Sequence, residues 1–311
     1  MNKNEFILWL KDIKKKDIVF VGGKAANLGE LYSKFLIPDG FCINVKFFDD
    51  FLQSTNIKNK ILKLLKKLDA KKQDNVDNIS NKIKNLITKQ AIPNKLRILI
   101  LENYMKLDGF VAVRSSAVAE DLKQASFAGQ QASFLNVKGK YLVKYIKECW
   151  ASFYNSRAII YRERNKFSHA PSMAVVIQKM INAKKSGVIF TVNPVNKNKN
   201  EMIIESIFGL GEAIVSGIVT PDHYAIEKKN LKIVKEIINE KKIAIFRANG
   251  KNKTIKLDAK KANLKTLNFN ELKQLAKEAL KIEKYYKKPM DIEWAIDDKL
   301  YILQARPITT L

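Results

Sequence analysis

The segment Pro289-Met-Asp-Ile-Glu-Trp-Ala-Ile-Asp-Asp-Lys-Leu-Tyr-Ile-Leu-Gln-Ala-Arg-Pro307 constrains the fold more than any other stretch. Its period-two alternation sets Asp291 and Glu293 on one side of a strand and Ile292, Trp294 and Ile296 on the other. A turn at Asp297-Asp298 returns the chain, and Gln304 and Arg306 then share a face of the second strand. Two carboxylates beside an arginine and an amide suit a nucleotide site, where acids hold Mg²⁺ and arginine neutralises phosphate. The same spacing describes a plain hairpin with a cross-strand salt bridge. Spacing alone leaves both readings open.

The rest of the chain mixes two periodicities. Helical spacing covers 59–70 and 78–89, with Ile61, Leu64, Leu65 and Leu68 on one stripe. A longer helix is predicted from Glu271 to Tyr286, with Asn270 as N-cap, an apolar face of Leu272, Leu275, Ala276, Ala279 and Leu280, and Pro289 as its stop. Short β-branched or aromatic runs predict strands at 110–113, 174–178, 188–192, 202–205, 292–296 and 301–304. The mixture indicates an α+β or α/β enzyme-like domain without fixing the order of its strands. Only 12 glycines and 7 prolines occur in 311 residues, about half the usual share, so clustered glycines carry information.

Charge is the next constraint. Lys and Arg number 57 against 31 Asp and Glu, a formal net charge of +26. Only seven of the cations are arginines, whereas phosphate and guanine recognition favour the planar guanidinium fork. Segment 201–227 has no Lys or Arg at all, while lysines crowd into 57–88, 228–242 and 251–288, where solvated helix faces and loops are expected. The excess therefore reads as compositional bias, and nucleic-acid binding is disfavoured. No apolar run approaches the roughly 18 residues of a membrane span. Cys42 and Cys149 match no zinc, haem or CxxC spacing, so a reducing cytoplasm is the expected compartment.

Three further constellations could carry chemistry. Val111-Ala-Val-Arg-Ser-Ser116 places Arg114 at the end of a buried strand, and the glycine-centred turn 125–134 could bring backbone N–H groups and the hydroxyls of Ser126 and Ser133 to a phosphate. Val21-Gly-Gly-Lys24 puts a lysine after paired glycines at a helix start, although it is no Walker A motif. Phe208-Gly-Leu-Gly-Glu-Ala213 is either another glycine-assisted helix start or a packing feature. The two histidines, His169 and His223, sit in no nucleophile motif, and His223, in a turn Thr220-Pro-Asp-His223, reads as structural.

Taken together, and in this order, GGKAANLGEL, VAVRSSAVAEDLKQASFAGQQASFLNV, VVIQKMINAKKSGVIFTVNPV, IIESIFGLGEAIVSGIVTPDHYAI and MDIEWAIDDKLYILQARPIT resemble the N-terminal ATP-binding domain of the phosphoenolpyruvate synthase and pyruvate phosphate dikinase family, to which rifampicin phosphotransferase is related. The resemblance covers nearly the whole chain. It implies an α+β, ATP-grasp-like fold: one ATP-binding domain over 1–311 whose two lobes, about 1–180 and 181–311, clamp the nucleotide. Carried over by motif, Lys24 and Arg114 contact phosphates, and the loop Ser126–Ser133, with Gly129 and Gln130, lids the triphosphate. Gln178, Lys179 and Met180 read adenine through their backbone. Glu293, with Asp291 and Gln304, holds Mg²⁺, and Arg306 meets the phosphates being transferred. ATP and Mg²⁺ are thus the implied cofactors.

Two departures bear on rate and metal preference. Asn193 stands where the family commonly has Asp, and the lid reads Gln-Gln-Ala132-Ser133 where an acid and threonine are common. The family's phosphohistidine and pyruvate-binding domains have no counterpart in these residues. The implied partner is therefore a separate or missing domain bearing the acceptor histidine, with pyruvate reached only indirectly. The expected reaction is phosphorylation of that histidine by ATP, as the first half of phosphoenolpyruvate synthesis from pyruvate, ATP and water. A rifampicin-phosphotransferase-like enzyme and a non-catalytic nucleotide-binding module are the alternatives.

Overall fold

Contacts divide the chain of the computed structural model, which describes residues 6–118, 132–170, 172–248 and 250–309, into two units. The first comprises 1–30 and 39–180, the second 31–38 and 181–311. A division by sequence near residue 180 therefore misses one excursion, 31–38. Its reason is local: the Ile302 N–H donates to the Leu36 carbonyl at 2.9 Å, and Lys34 Nζ lies 4.5 Å from the centre of the Tyr285 ring.

In the first unit the elements run β1 (Ile7–Trp9), α1 (Ile18–Leu31), β2 (Gly40–Ile43), α2 (Val45–Ser54), α3 (Lys58–Leu65), α4 (Gln73–Lys89), α5 (Asn94–Met105), β3 (Val111–Ala117), β4 (Ser133–Val137), α6 (Gly139–Ser152), α7 (Ser156–Arg164) and β5 (Met173–Lys179). The antiparallel sheet has the order β1-β2-β5-β3-β4. One face sends Phe41, Ile43, Val111, Val113, Val175 and Ile177 into a core with the helices, where Phe48 and Phe51 stack on Trp150 at 5.0 and 5.1 Å. The opposite face carries Ala112, Arg114 and Ser116 of β3 beside Gln178, Val176 and Ala174 of β5.

Helix α1 meets Ser116. The helix is broken at Gly22, whose φ of 74° and ψ of 170° interrupt the spiral. The Ser116 hydroxyl donates to the Val21 carbonyl at 2.8 Å and accepts from the Ala25 N–H at 3.2 Å. Both cysteines of this unit are fully buried, and burial pushes each thiol far above its ordinary value. Neither should react with an aromatic disulfide reagent in the native state, and two equivalents should appear on denaturation.

The second unit runs β6 (Lys185–Phe190), β7 (Glu201–Phe208), α8 (Glu212–Val215), β8 (Asp222–Glu227), β9 (Ile233–Ile237), β10 (Ile243–Ala248), β11 (Lys251–Lys256), α9 (Ala259–Ala262), α10 (Phe269–Tyr286), β12 (Met290–Ile296) and β13 (Leu300–Pro307). Its main sheet, order β13-β12-β6-β7-β8-β9, is antiparallel throughout, while β10 and β11 form a separate ribbon. The lysine-rich stretches 228–242 and 251–288 thus contain two strands, β9 and β11, as well as helices, a correction to the composition-based reading. In β11 every residue is exposed, which is why lysine is tolerated there.

Helix α10 covers one face of this sheet, packing on β12 and β7 and burying Leu272, Leu275, Ala276, Ala279, Ile282 and Tyr286. Its N-cap is Asn268, not Asn270. The Asn268 side chain accepts from the Glu271 N–H at 2.9 Å, and Glu271 Oε2 accepts from the Asn268 N–H at 2.8 Å, so the Asn-x-x-Glu box outcompetes the nearer asparagine. Among the described residues no helix is long and apolar enough to cross a membrane.

Candidate functional site

The hairpin β12–β13 pairs Asp291 with Arg306 and Glu293 with Gln304, so the four groups face one another across two strands. Alternation along β13 by itself would put Ile302 on the same side as Gln304. A bulge prevents this. Pairing steps from Glu293–Gln304 to Trp294–Ile302 and leaves Leu303 extra, so Ile302 joins buried Trp294 while Gln304 keeps company with Glu293. Arg306 donates through Nε and Nη2 to Asp291 Oδ2 at 2.9 and 2.8 Å. The salt-bridge reading therefore holds for that pair. Glu293 and Gln304 supply a carboxylate and an amide oxygen, the donors a hard cation takes.

No group of three or more His, Cys, Asp or Glu side chains able to hold a metal occurs among the described residues. That donor set still fits Mg²⁺, which uses one or two carboxylates and completes its shell with water and phosphate oxygens.

In the first unit, Arg114 lies across from Ser133 on one side and Val176 on the other, and Ala112 lies across from Gln178. Lys24, Arg114 and Gln178 are 7%, 8% and 2% exposed, so two cations and an amide sit largely out of water. The Lys179 and Met180 N–H groups donate to the carbonyls of Asp39 and Phe110 at 2.7 and 2.9 Å. Those donors are committed within the protein, so a base read through this segment would not use them. The orphan is instead the Gln178 side chain, whose buried Nε2 has no hydrogen-bond partner among the described residues. Leaving such a donor unpaired costs about 1–3 kcal/mol, which an acceptor on a ligand would recover. Ser133 opens β4 and is exposed, whereas Ser126, Gly129 and Gln130 lie outside the described residues.

In Phe208–Ala213 it is Gly209 that serves packing. Gly209, with φ of 79°, lets the chain pass β10 so closely that a Cβ would lie 2.2 Å from the Ile245 carbonyl oxygen. Leu210 then donates to that carbonyl at 2.8 Å, and α8 is a single turn. His169 is structural: its Nδ1 accepts from buried Arg162 at 3.2 Å and its Nε2 meets Glu163 at 2.6 Å. Burial lowers Arg162 to about 10. His223 is not in a turn but in β8, directly across from Glu205 of β7. Glu205 and Asp222 lie within the motif IIESIFGLGEAIVSGIVTPDHYAI but had no role read for them there, and no motif contains Lys241, the partner of Asp222.

Comparison with known proteins gives a consistent picture. The chain matches the family model described as pyruvate phosphate dikinase, AMP/ATP-binding domain, over residues 18–311. It is 47% identical over 315 residues to a probable phosphoenolpyruvate synthase of Archaeoglobus fulgidus, covering 98% of this chain and 42% of that protein. The corresponding protein of Methanocaldococcus jannaschii is 44% identical over 319 residues, 99% of this chain and 27% of that one. A rifampicin phosphotransferase of Bacillus cereus is 39% identical over 317 residues, 99% of this chain and 36% of its own length. The chain spans less than half the length of each of these relatives. Likeness to solved structures is slight: Cdc123 from Schizosaccharomyces pombe shares 11% identity at a TM-score of 0.38, over 95% of this chain and 86% of that one.

Proposed function

The chain belongs to the pyruvate phosphate dikinase AMP/ATP-binding domain family, and from that membership we propose that it is the ATP-binding, phosphoryl-donating part of a phosphoenolpyruvate synthase with an ATP-grasp-like fold. It would pass phosphate from ATP to a histidine on another domain or protein, within a reaction that turns ATP, pyruvate and water into phosphoenolpyruvate, AMP and phosphate. The observation that carries this reading is the cross-strand set Glu293–Gln304 and Asp291–Arg306 on one face of the terminal hairpin.

Phosphoryl transfer asks little covalent chemistry of a protein; it asks for positioned cations and metal-binding oxygens. Arg306 is held in place by Asp291, so its guanidinium is oriented before any phosphate arrives. Glu293 and Gln304 would hold Mg²⁺, which when bound neutralises charge on the phosphate oxygens. Lys24 and Arg114, both largely buried, would bind phosphate oxygens where water screens them least. The orphan amide of Gln178 would donate to the nucleotide.

Calorimetric titration with Mg·ATP tests the reading. The unaltered chain should bind, and Arg306→Ala should weaken binding roughly tenfold or more, the loss of a charged hydrogen bond worth about 1.5–3 kcal/mol. Glu293→Gln should weaken Mg·ATP while barely changing metal-free ATP. Equal affinities throughout, or no binding by any form, would refute it. A rifampicin-type acceptor is the second reading, favoured by the 39% identity noted above. Phosphate transfer to a supplied histidine domain, followed by addition of either pyruvate or rifampicin, separates the two.

A further inference from the structure

The open face of the second unit's sheet continues beyond the hairpin. One rung runs Gln304–Glu293–Val188–Glu205–His223–Ile237 across six strands. Over its far half lies a concave trough of about 690 Å³ whose lining includes Asn193, Glu205, His223, Lys235 and Ile237. Strands lie about 4.8 Å apart, so Glu205 stands about 10 Å and His223 about 14 Å from Glu293, backbone to backbone.

At the floor of the trough, His223 Nδ1 approaches Glu205 Oε1 to 3.7 Å, and both side chains are about a quarter exposed, 27% and 29%. A carboxylate at one imidazole nitrogen fixes the ring and leaves the other nitrogen to act on a ligand, the base-and-orienter arrangement of acid–base catalysis.

On the function proposed above, on which this inference rests, a proton must also be accounted for. When water attacks the terminal phosphate, its oxygen bonds to that phosphorus and the β–γ bridging P–O bond breaks, its electron pair leaving on the β-phosphate oxygen. Phosphate is released, the phosphate left at the end of the nucleotide is the one that passes to the histidine with AMP as leaving group, and the water's proton must be taken up. Lys24, Arg114 and Arg306 are cations and accept none. Asp291 is engaged by Arg306, and Glu293 with Gln304 is assigned to the metal. Of the two histidines, His169 is occupied at both ring nitrogens by Arg162 and Glu163. His223, on the floor of the trough beside Glu205, is the other imidazole.

We propose that His223, oriented by Glu205, accepts the proton of the water consumed at the nucleotide. The trough is then the water and acceptor side of the site, and the hairpin its nucleotide side. The charged groups around the imidazole are Glu205 from β7, Lys235 from β9 and Glu201 at the rim of the trough, while β9 sets Ile237 directly opposite.

The experiment measures phosphate release from Mg·ATP by the full chain between pH 5 and 9, alongside Mg·ATP affinity by calorimetry. A neutral imidazole is the active form, so the rate should fall on the acid side of the profile, by up to about tenfold per pH unit. His223→Asn should lower the rate roughly 10²- to 10⁴-fold and abolish that acid limb, with affinity unchanged within about twofold. Glu205→Gln should keep the limb at a reduced rate, and added imidazole should partly restore His223→Gly. An unchanged rate and pH profile in His223→Asn would overturn the proposal, as would Mg·ATP binding without phosphate release by the unaltered chain. Failure of the unaltered chain to bind Mg·ATP would instead sink the functional reading on which the proposal stands.

Discussion

Asp222→Ala is expected to destabilise the second unit by about 3–5 kcal/mol, measured as a fall in the denaturant midpoint at constant slope. Asp222 is fully buried and its partner Lys241 is 1% exposed. Four donors converge on this one carboxylate. Oδ1 takes Lys241 Nζ at 2.5 Å and the Asn239 N–H at 3.1 Å, while Oδ2 takes the Thr266 N–H and hydroxyl at 2.9 and 2.7 Å. The group ties β8 to the segments before β10 and α10. Removing it strands an ammonium in a medium that cannot solvate it. The double variant Asp222→Ala/Lys241→Met should recover much of the loss, because an apolar pair of similar volume removes the unpaired charge. If the single variant is as stable as the parent, the pair is not the anchor described.

Gly22→Ala should be nearly as severe in the first unit. At φ of 74° an added side chain is strained, and its Cβ would fall 2.2 Å from the Ser116 carbonyl oxygen. Strain and overpacking together cost about 2–6 kcal/mol. In a domain of this size that lowers the melting temperature by roughly 5–20 °C. The same break directs Lys24 in the next turn, so Mg·ATP affinity should fall as well. A variant that melts and binds like the parent would show that the helix can shift away from β3 at little cost.

The hydrophobic pattern revealed much of this fold because burial and sheet pleat write it directly. All six β-branched runs lie largely within strands, and the hairpin register follows from its turn as far as Trp294–Ile302. What stayed hidden depends on partners distant in sequence. The alternation of β12 is readable, but the extra residue in β13 is not, since Leu303 looks like any apolar strand residue. The choice of Asn268 over Asn270 needed the reciprocal bond from Glu271. Strands β9 and β11 were masked by lysine, whose charge says nothing about backbone pairing once the side chain reaches water.

At the candidate site, Lys24, Arg114, Glu293, Gln304 and Arg306 stood out as residue types that phosphate chemistry needs. Gln178 emerged as a side-chain donor only when the neighbouring N–H groups were found already spent. His223 looked like a turn residue because proline precedes it by two positions, and only the register across β7 brought Glu205 to it.

A strand is a parity code: odd positions look one way, even positions the other. Leu303 inverts the parity midway along β13, so one uninterrupted eight-residue segment serves the apolar layer with its first half and the polar face with its second. Length changes downstream of that point are therefore read modulo two. Losing one residue would turn the amide and guanidinium into the hydrophobic layer and present alanine to solvent, whereas losing two would merely shorten the polar row.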